Sequence, residues 1–107
     1  MKVYISGKIS GIPTEQVKEK FARAEEQIRA IGHEPVNPLN NGQPASAPWR
    51  QQMKASLAMM FDCDAVYLLT DYLFSRGARV EAFAASEAGM VVMQQPVYAA
   101  YNPKTNQ

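Results

Sequence analysis

Ala65-Val66-Tyr67-Leu68-Leu69 is apolar at every position. A strand of that kind hides both of its faces, which calls for a parallel sheet with helices packed on each side. A second β-like run, Lys2-Val3-Tyr4-Ile5-Ser6, opens the chain and ends at Gly7. Between the two runs, Val17, Phe21, Ala24, Ile28 and Ile31 recur in steps of four and three, the apolar stripe of a helix. Thr14 is its expected N-cap and Gly32 its C′ residue, while Lys18, Lys20, Glu25, Glu26 and Arg29 face water.

The rest of the chain keeps the alternation. His33-Glu34-Pro35-Val36 is a weak strand, because Pro35 cannot donate to a ladder. Residues 37 to 48 carry Pro38, Pro44, Pro48 and several Asn, Gly and Ser residues, the composition of a long surface loop and a candidate lid. Pro48 then opens a second helix with Trp49, Met53, Leu57 and Met60 on one side and Ala55, Ala58 and Met59 adding another. A third helix is expected from about Gly77 to Glu87, with Val80, Phe83, Ala84 and Ala88 inward and Gly89 at its end. Val91-Val92-Met93 forms another strand, and residues 97 to 101 offer one more. This order predicts a single α/β domain over residues 1–107, a small Rossmann-like or flavodoxin-like three-layer fold. Its sheet is expected to be mainly parallel, with four to five strands.

Charge and cysteine content narrow the partners. The net charge is +1 and no dense Lys/Arg cluster is present, so DNA and RNA are not expected partners. Cys63 is the only cysteine, which suits a reducing, cytoplasmic setting, and its neighbours Asp62 and Asp64 disfavour a thiolate. No run reaches membrane-spanning length, and Lys2 precedes a short β-like run rather than a secretory signal. With one His and one Cys, neither a metal nor a cofactor is expected. Helix two holds more apolar surface than a small sheet needs, with Met53, Leu57, Met59 and Met60, so a homodimer contact is expected there. Trp49 reads as a core anchor, or as a base-stacking side chain at the lid edge. Asn37 and Asn40 read as base contacts or as ordinary loop chemistry.

In parallel α/β sheets, ligands bind beyond the carboxyl ends of the strands. Two loops leave those ends, residues 6 to 13 and 71 to 77. In the second, Ser75-Arg76-Gly77-Ala78-Arg79-Val80-Glu81 opens a helix. Gly77 permits close backbone approach, helix-start amides and Arg76 or Arg79 suit a phosphate, and Glu81 can face a sugar carbon. The same residues also read as an ordinary N-cap, a loop glycine and a charge placed well near a helix start.

Two segments together resemble the nucleoside 2-deoxyribosyltransferase superfamily, and within it the small phage-associated branch near the 2′-deoxynucleoside 5′-monophosphate N-glycosidases. They are KVYISGKISG, residues 2 to 11, and DCDAVYLLTDYLFSRGARVEAFAASEAGM, residues 62 to 90. The second contains Ser75, Gly77 and Glu81 as the superfamily's Ser-x-Gly-x-x-x-Glu signature. The resemblance implies an enzyme in which Glu81 attacks the anomeric carbon and forms a glycosyl intermediate, resolved by water or by a second base. It implies that Tyr4 orients Glu81, and that Ser6, Gly7, Lys8, Ile9, Ser10 and Gly11 surround sugar and phosphate. Ser75, Arg76 and Gly77 then hold the 5′-phosphate of a small-molecule nucleotide. Chain termini in this superfamily reach a neighbouring subunit's site, which points to Tyr101 and Asn102. One departure stands out. The acid that protonates the leaving base falls at Ser56, and its loss costs about 10²–10⁴-fold in such a step. Asp71, just past the strand's carboxyl end, is the expected substitute. A non-catalytic nucleotide-binding module on the same fold is the alternative.

Overall fold

The computed structural model describes residues 1–100, so Tyr101 and Asn102 lie outside the described residues. Strand β1 (Lys2–Ser6) leads to helix α1 (Thr14–Ala30), then β2 (Glu34–Val36), α2 (Trp49–Phe61), β3 (Ala65–Leu68), α3 (Arg76–Glu87) and β4 (Val91–Gln94). The sheet order is β2-β1-β3-β4, and every pairing is parallel. The chain therefore steps from β1 outward to β2, returns past β1 to β3, and continues to β4. The order reverses between β1 and β3, and the crevice at their carboxyl ends is where such folds bind ligands.

Alternation along β1 divides its side chains between two cores. Val3 and Ile5 pack with Ala65, Tyr67 and Leu69 against Val17, Phe21, Ala24 and Ile28 of α1. On the opposite face, Tyr4, Val66 and Leu68 pack against Met60 of α2 and Ala85 of α3. Three layers result, with α1 on one side and α2 and α3 on the other. Val3, Tyr4, Ile5 and Ser6 are all fully buried, so β1 presents two hydroxyls, on Tyr4 and Ser6, to the α3 side.

The ends of α1 and α3 follow from backbone chemistry. In each, a glycine at positive φ (Gly32 at 85°, Gly89 at 75°) closes a paired turn. Gly32 N–H donates to Arg29 and His33 N–H to Ile28, and Gly89 and Met90 repeat the pattern onto Ser86 and Ala85. At the start of α1 the expected cap is displaced by one residue. Pro13 occupies the N-cap position without a side-chain bond, and Thr14 is already helical.

Three further expectations are corrected. Residues 97 to 100 form a 3-10 turn instead of a strand, leaving four strands among the described residues. Helix α3 buries Ala78, Glu81 and Ala85, whereas Phe83 is 69% exposed. Of the expected inward residues, Ala84 packs against the second core and Val80 is half-buried, while Phe83 and Ala88 are exposed: the small alanines permit close approach to the sheet and Glu81 finds hydroxyl partners inside. Trp49 is not a core anchor: it is 41% exposed. On α2, Met53 and Met60 are buried, and Leu57 and Met59 pack against the second core. Besides Trp49, the exposed apolar members of that helix are Ala58 and Phe61, so the methionines expected at a subunit contact are turned mostly inward.

Candidate functional site

Glu81 is brought to the sheet by α3 and is only 6% exposed. The Tyr4 hydroxyl donates to its Oε2 at 2.5 Å, and the Ser6 hydroxyl donates to Oε1 at 2.7 Å. Both donors come from one face of β1, some 75 residues earlier in the chain. Burial raises the Glu81 carboxyl above the usual carboxylate range, and the two hydroxyls offset part of that rise. Burial, with the negative charge of Glu81 next, drives the Tyr4 phenol far above its ordinary value. The phenol therefore stays protonated and donates. Among the described residues no ion pair involves Glu81, so its oxygens are held by neutral groups.

Above Glu81 lies a cavity of about 480 Å³. Gly7, Ile9 and Ser10 of the first loop line it, as do Ser75, Gly77 and Ala78 at the start of α3. The 38–47 loop supplies Leu39, Asn41 and Gln43, and α2 supplies Trp49, Gln52, Met53 and Ser56. Gly7 has a steric reason: a Cβ there would stand 2.5 Å from Leu69 Cδ1, so the backbone lies flush against the end of β3. Gly77 does the same for the helices, with Met53 Sδ only 3.1 Å from where its Cβ would be. The long loop is fastened to α2, since Gln52 Nε2 donates to the Pro44 carbonyl at 2.6 Å and Gln51 to Gln43 at 2.5 Å.

Ser56 lines the cavity from α2 and is tied to the long loop. Asn41 Nδ2 donates to its Oγ at 3.2 Å and to Gln52 Oε1 at 3.1 Å. Ser56 also lies near the Tyr4 phenol and opposes a small part of the rise in its proton affinity. Ser75 caps α3, its Oγ accepting from Ala78 N–H at 3.2 Å. The ordinary N-cap reading of Ser75 therefore holds, and the same residue also faces the cavity. The N–H groups of Arg76 and Gly77 precede the first intrahelical bond. Arg76 itself stacks on the Trp49 ring, 3.9 Å from its centre, beside the cavity. Trp49 thus stands at the rim, held by a guanidinium.

Not every residue expected at the site reaches it. Asp71 does not line the cavity. Its Oδ1 accepts from Lys8 N–H at 3.0 Å and its Oδ2 from Lys20 Nζ at 2.6 Å, so it tethers the first loop and is not a free acid. Lys20, which also donates to the Lys8 carbonyl, falls on the water-facing side of α1 by helical spacing, and nothing in that spacing marks it as a tether. Lys8 and Gly11 lie outside the lining, and Gly11 serves a turn at φ 80°. Asn37 is used within the loop, its Oδ1 accepting from Leu39 N–H at 2.9 Å, and Asn41 faces the cavity where Asn37 and Asn40 do not. Gln52 and Ser56 were legible in principle: they interleave with Trp49, Met53 and Met60 on one face of α2, polar groups inside an apolar stripe. Cys63 does not line the cavity, and burial pushes its thiol up more than the neighbouring aspartates do.

A family described as Domain of unknown function (DUF4406) matches residues 1–94. The chain belongs to the DUF4406 family. The match spans all four strands, the three helices and every residue lining the cavity. No curated protein matches. Among solved structures, a 2-desoxiribosyltransferase from Leishmania mexicana aligns with a TM-score of 0.66 at 16% identity, covering 87% of this chain. The chain spans 62% of that protein's length. At that identity the likeness concerns the fold: this DUF4406 domain has the Rossmann-type, deoxyribosyltransferase-like architecture. No helix among the described residues is long and apolar enough to cross a membrane.

Proposed function

We propose that this domain is a nucleotide N-glycosidase-like enzyme that removes or transfers the base of a 2′-deoxynucleoside 5′-monophosphate. The observation that carries the reading is Glu81, a buried carboxylate at the cavity floor with one hydroxyl donated to each oxygen. A carboxylate so fixed and so little hydrated is suited to attack C1′ of a sugar, forming a glycosyl ester that water or a second base resolves. Tyr4 and Ser6 orient it. The 5′-phosphate would meet Ser75, the free amides of Arg76 and Gly77, and the Arg76 guanidinium. The base would lie under the 38–47 loop, near Asn41 and Gln52. Its amides can hydrogen-bond a base edge without carrying charge.

Incubation with each deoxynucleoside monophosphate, followed by chromatography for free base, tests the reading. Release that vanishes in Glu81→Ala is expected; release unchanged in that variant removes Glu81 as the nucleophile. Ser56 favours a second reading, a binding module without catalysis, because a serine cannot act as an acid near neutral pH. A nucleotide that raises the melting temperature while no base appears would select it. A homodimer through α2 is part of the proposal, supported on that helix by the exposed Phe61 alone, since Met53 and Met60 are buried, and a monomeric mass in sedimentation equilibrium would exclude it.

A further inference from the structure

The cavity is chemically lopsided. Of the residues lining it, only Tyr4 and Glu81 ionise, and the phenol stays neutral. Glu81 is therefore the single charge at the floor, and no described cation pairs with it. A buried carboxylate without a counter-ion is costly, and a ligand that brings positive charge to it relieves that cost. Around it stand Asn41, Gln52 and Ser56, neutral groups with no proton to give a departing base. The rim has the opposite sign. The Arg76 guanidinium sits over the ring of Trp49, 3.9 Å from its centre, and puts a positive charge beside a residue that lines the cavity.

We propose that the site takes an N-glycoside whose base is already cationic, such as the 5′-monophosphate of an N-alkylated purine or a pyridinium nucleotide. The proposal rests on the glycosidase reading above and names its substrate class. Such a ligand is a zwitterion, positive at the glycosidic nitrogen over Glu81 and negative at the phosphate beside Arg76. The chemistry then balances without an acid. As a Glu81 oxygen bonds to C1′, the C1′–N bond breaks and its electron pair goes to the cationic ring nitrogen, so the base leaves neutral. Water adds to C1′, its hydroxyl staying on the sugar; the carboxylate is freed and one proton is released to solvent. A neutral base would instead carry the negative charge away as an anion, unless protonated by a group worth about 10²–10⁴-fold.

The test compares N7-methyl-2′-deoxyguanosine 5′-monophosphate with its unmethylated parent, each corrected for spontaneous base loss. Expected is a kcat/KM at least about 100-fold higher for the methylated nucleotide, with one proton released per turnover in weakly buffered indicator. Cleavage of the parent to within about tenfold of the methylated compound overturns the inference and leaves the glycosidase reading standing. If neither loses base faster than with Glu81→Ala, the glycosidase reading itself fails. Thermal shift then decides the charge preference alone. The methylated nucleotide should raise the melting temperature more than the parent in wild type and equally with it in Glu81→Gln. Equal shifts in wild type would overturn the preference.

Discussion

Replacing Tyr4 with Phe removes one hydroxyl and leaves the ring in the core. The lost bond is short, 2.5 Å, buried, and made to a carboxylate. Hydrogen bonds to charged groups contribute about 1.5–3 kcal/mol, roughly a factor of 10 to 100 in proton affinity. The sign follows from which form is favoured. The phenol donates to ionised Glu81 and so opposes the rise caused by burial; without it the carboxyl binds its proton more tightly. Carboxyl-carbon NMR should therefore show Glu81 titrating at higher pH in Tyr4→Phe than in wild type. The acid limb of base release should move the same way. A Glu81 titration that stays in place or moves to lower pH would refute the view that this bond stabilises the charged form.

Glu81→Gln should stabilise the fold at alkaline pH. A carboxyl whose native proton affinity is raised contributes stability below its unfolded pKa of about 4.3 and loses it as pH rises through the native value. The gain of the variant, read as about 4–8 °C of melting temperature per kcal/mol, should shrink toward zero near pH 4. Gly7→Ala should lower the urea midpoint, because its Cβ would meet Leu69 Cβ and Cγ at 2.9 Å as well as Cδ1, at a cost of about 1–3 kcal/mol. Gly32→Ala should cost about 1–2 kcal/mol in the same measurement, since φ there is 85°. Asp71→Asn should barely change stability, within about 1 kcal/mol for a partly exposed pair, yet speed amide exchange at Lys8 by loosening the first loop.

The fold was legible because its signals are local and redundant. A continuously apolar β3, a helical stripe on α1 and glycines at two helix ends each point to the same three-layer sheet. The pairing of Tyr4 with Glu81 was not readable from spacing. It came from the resemblance of two segments, and the structure gives it hydroxyl-to-carboxylate geometry. Where apolarity alone guided the reading, it placed Phe83 inward and Glu81 at no defined depth. A buried carboxylate defeats periodicity, because its partners lie on another element. Asp71 escapes the sequence for a related reason: its partner Lys20 comes from the middle of α1, 51 residues away, and long-range ion pairs leave no mark in sequence. The polar face of α2, Gln52 and Ser56, did leave one, as polar residues set among buried methionines.

The most direct measurement is to trap the sugar on the protein. A 2-fluoro-substituted nucleotide monophosphate, whose glycosyl ester hydrolyses slowly, would be incubated with the protein, and the digest mapped by mass spectrometry. The expected result is one fluorosugar-phosphate adduct on the peptide bearing Glu81, absent from Glu81→Ala. An adduct on another residue, or base release with no adduct at all, would contradict a covalent role for that carboxylate.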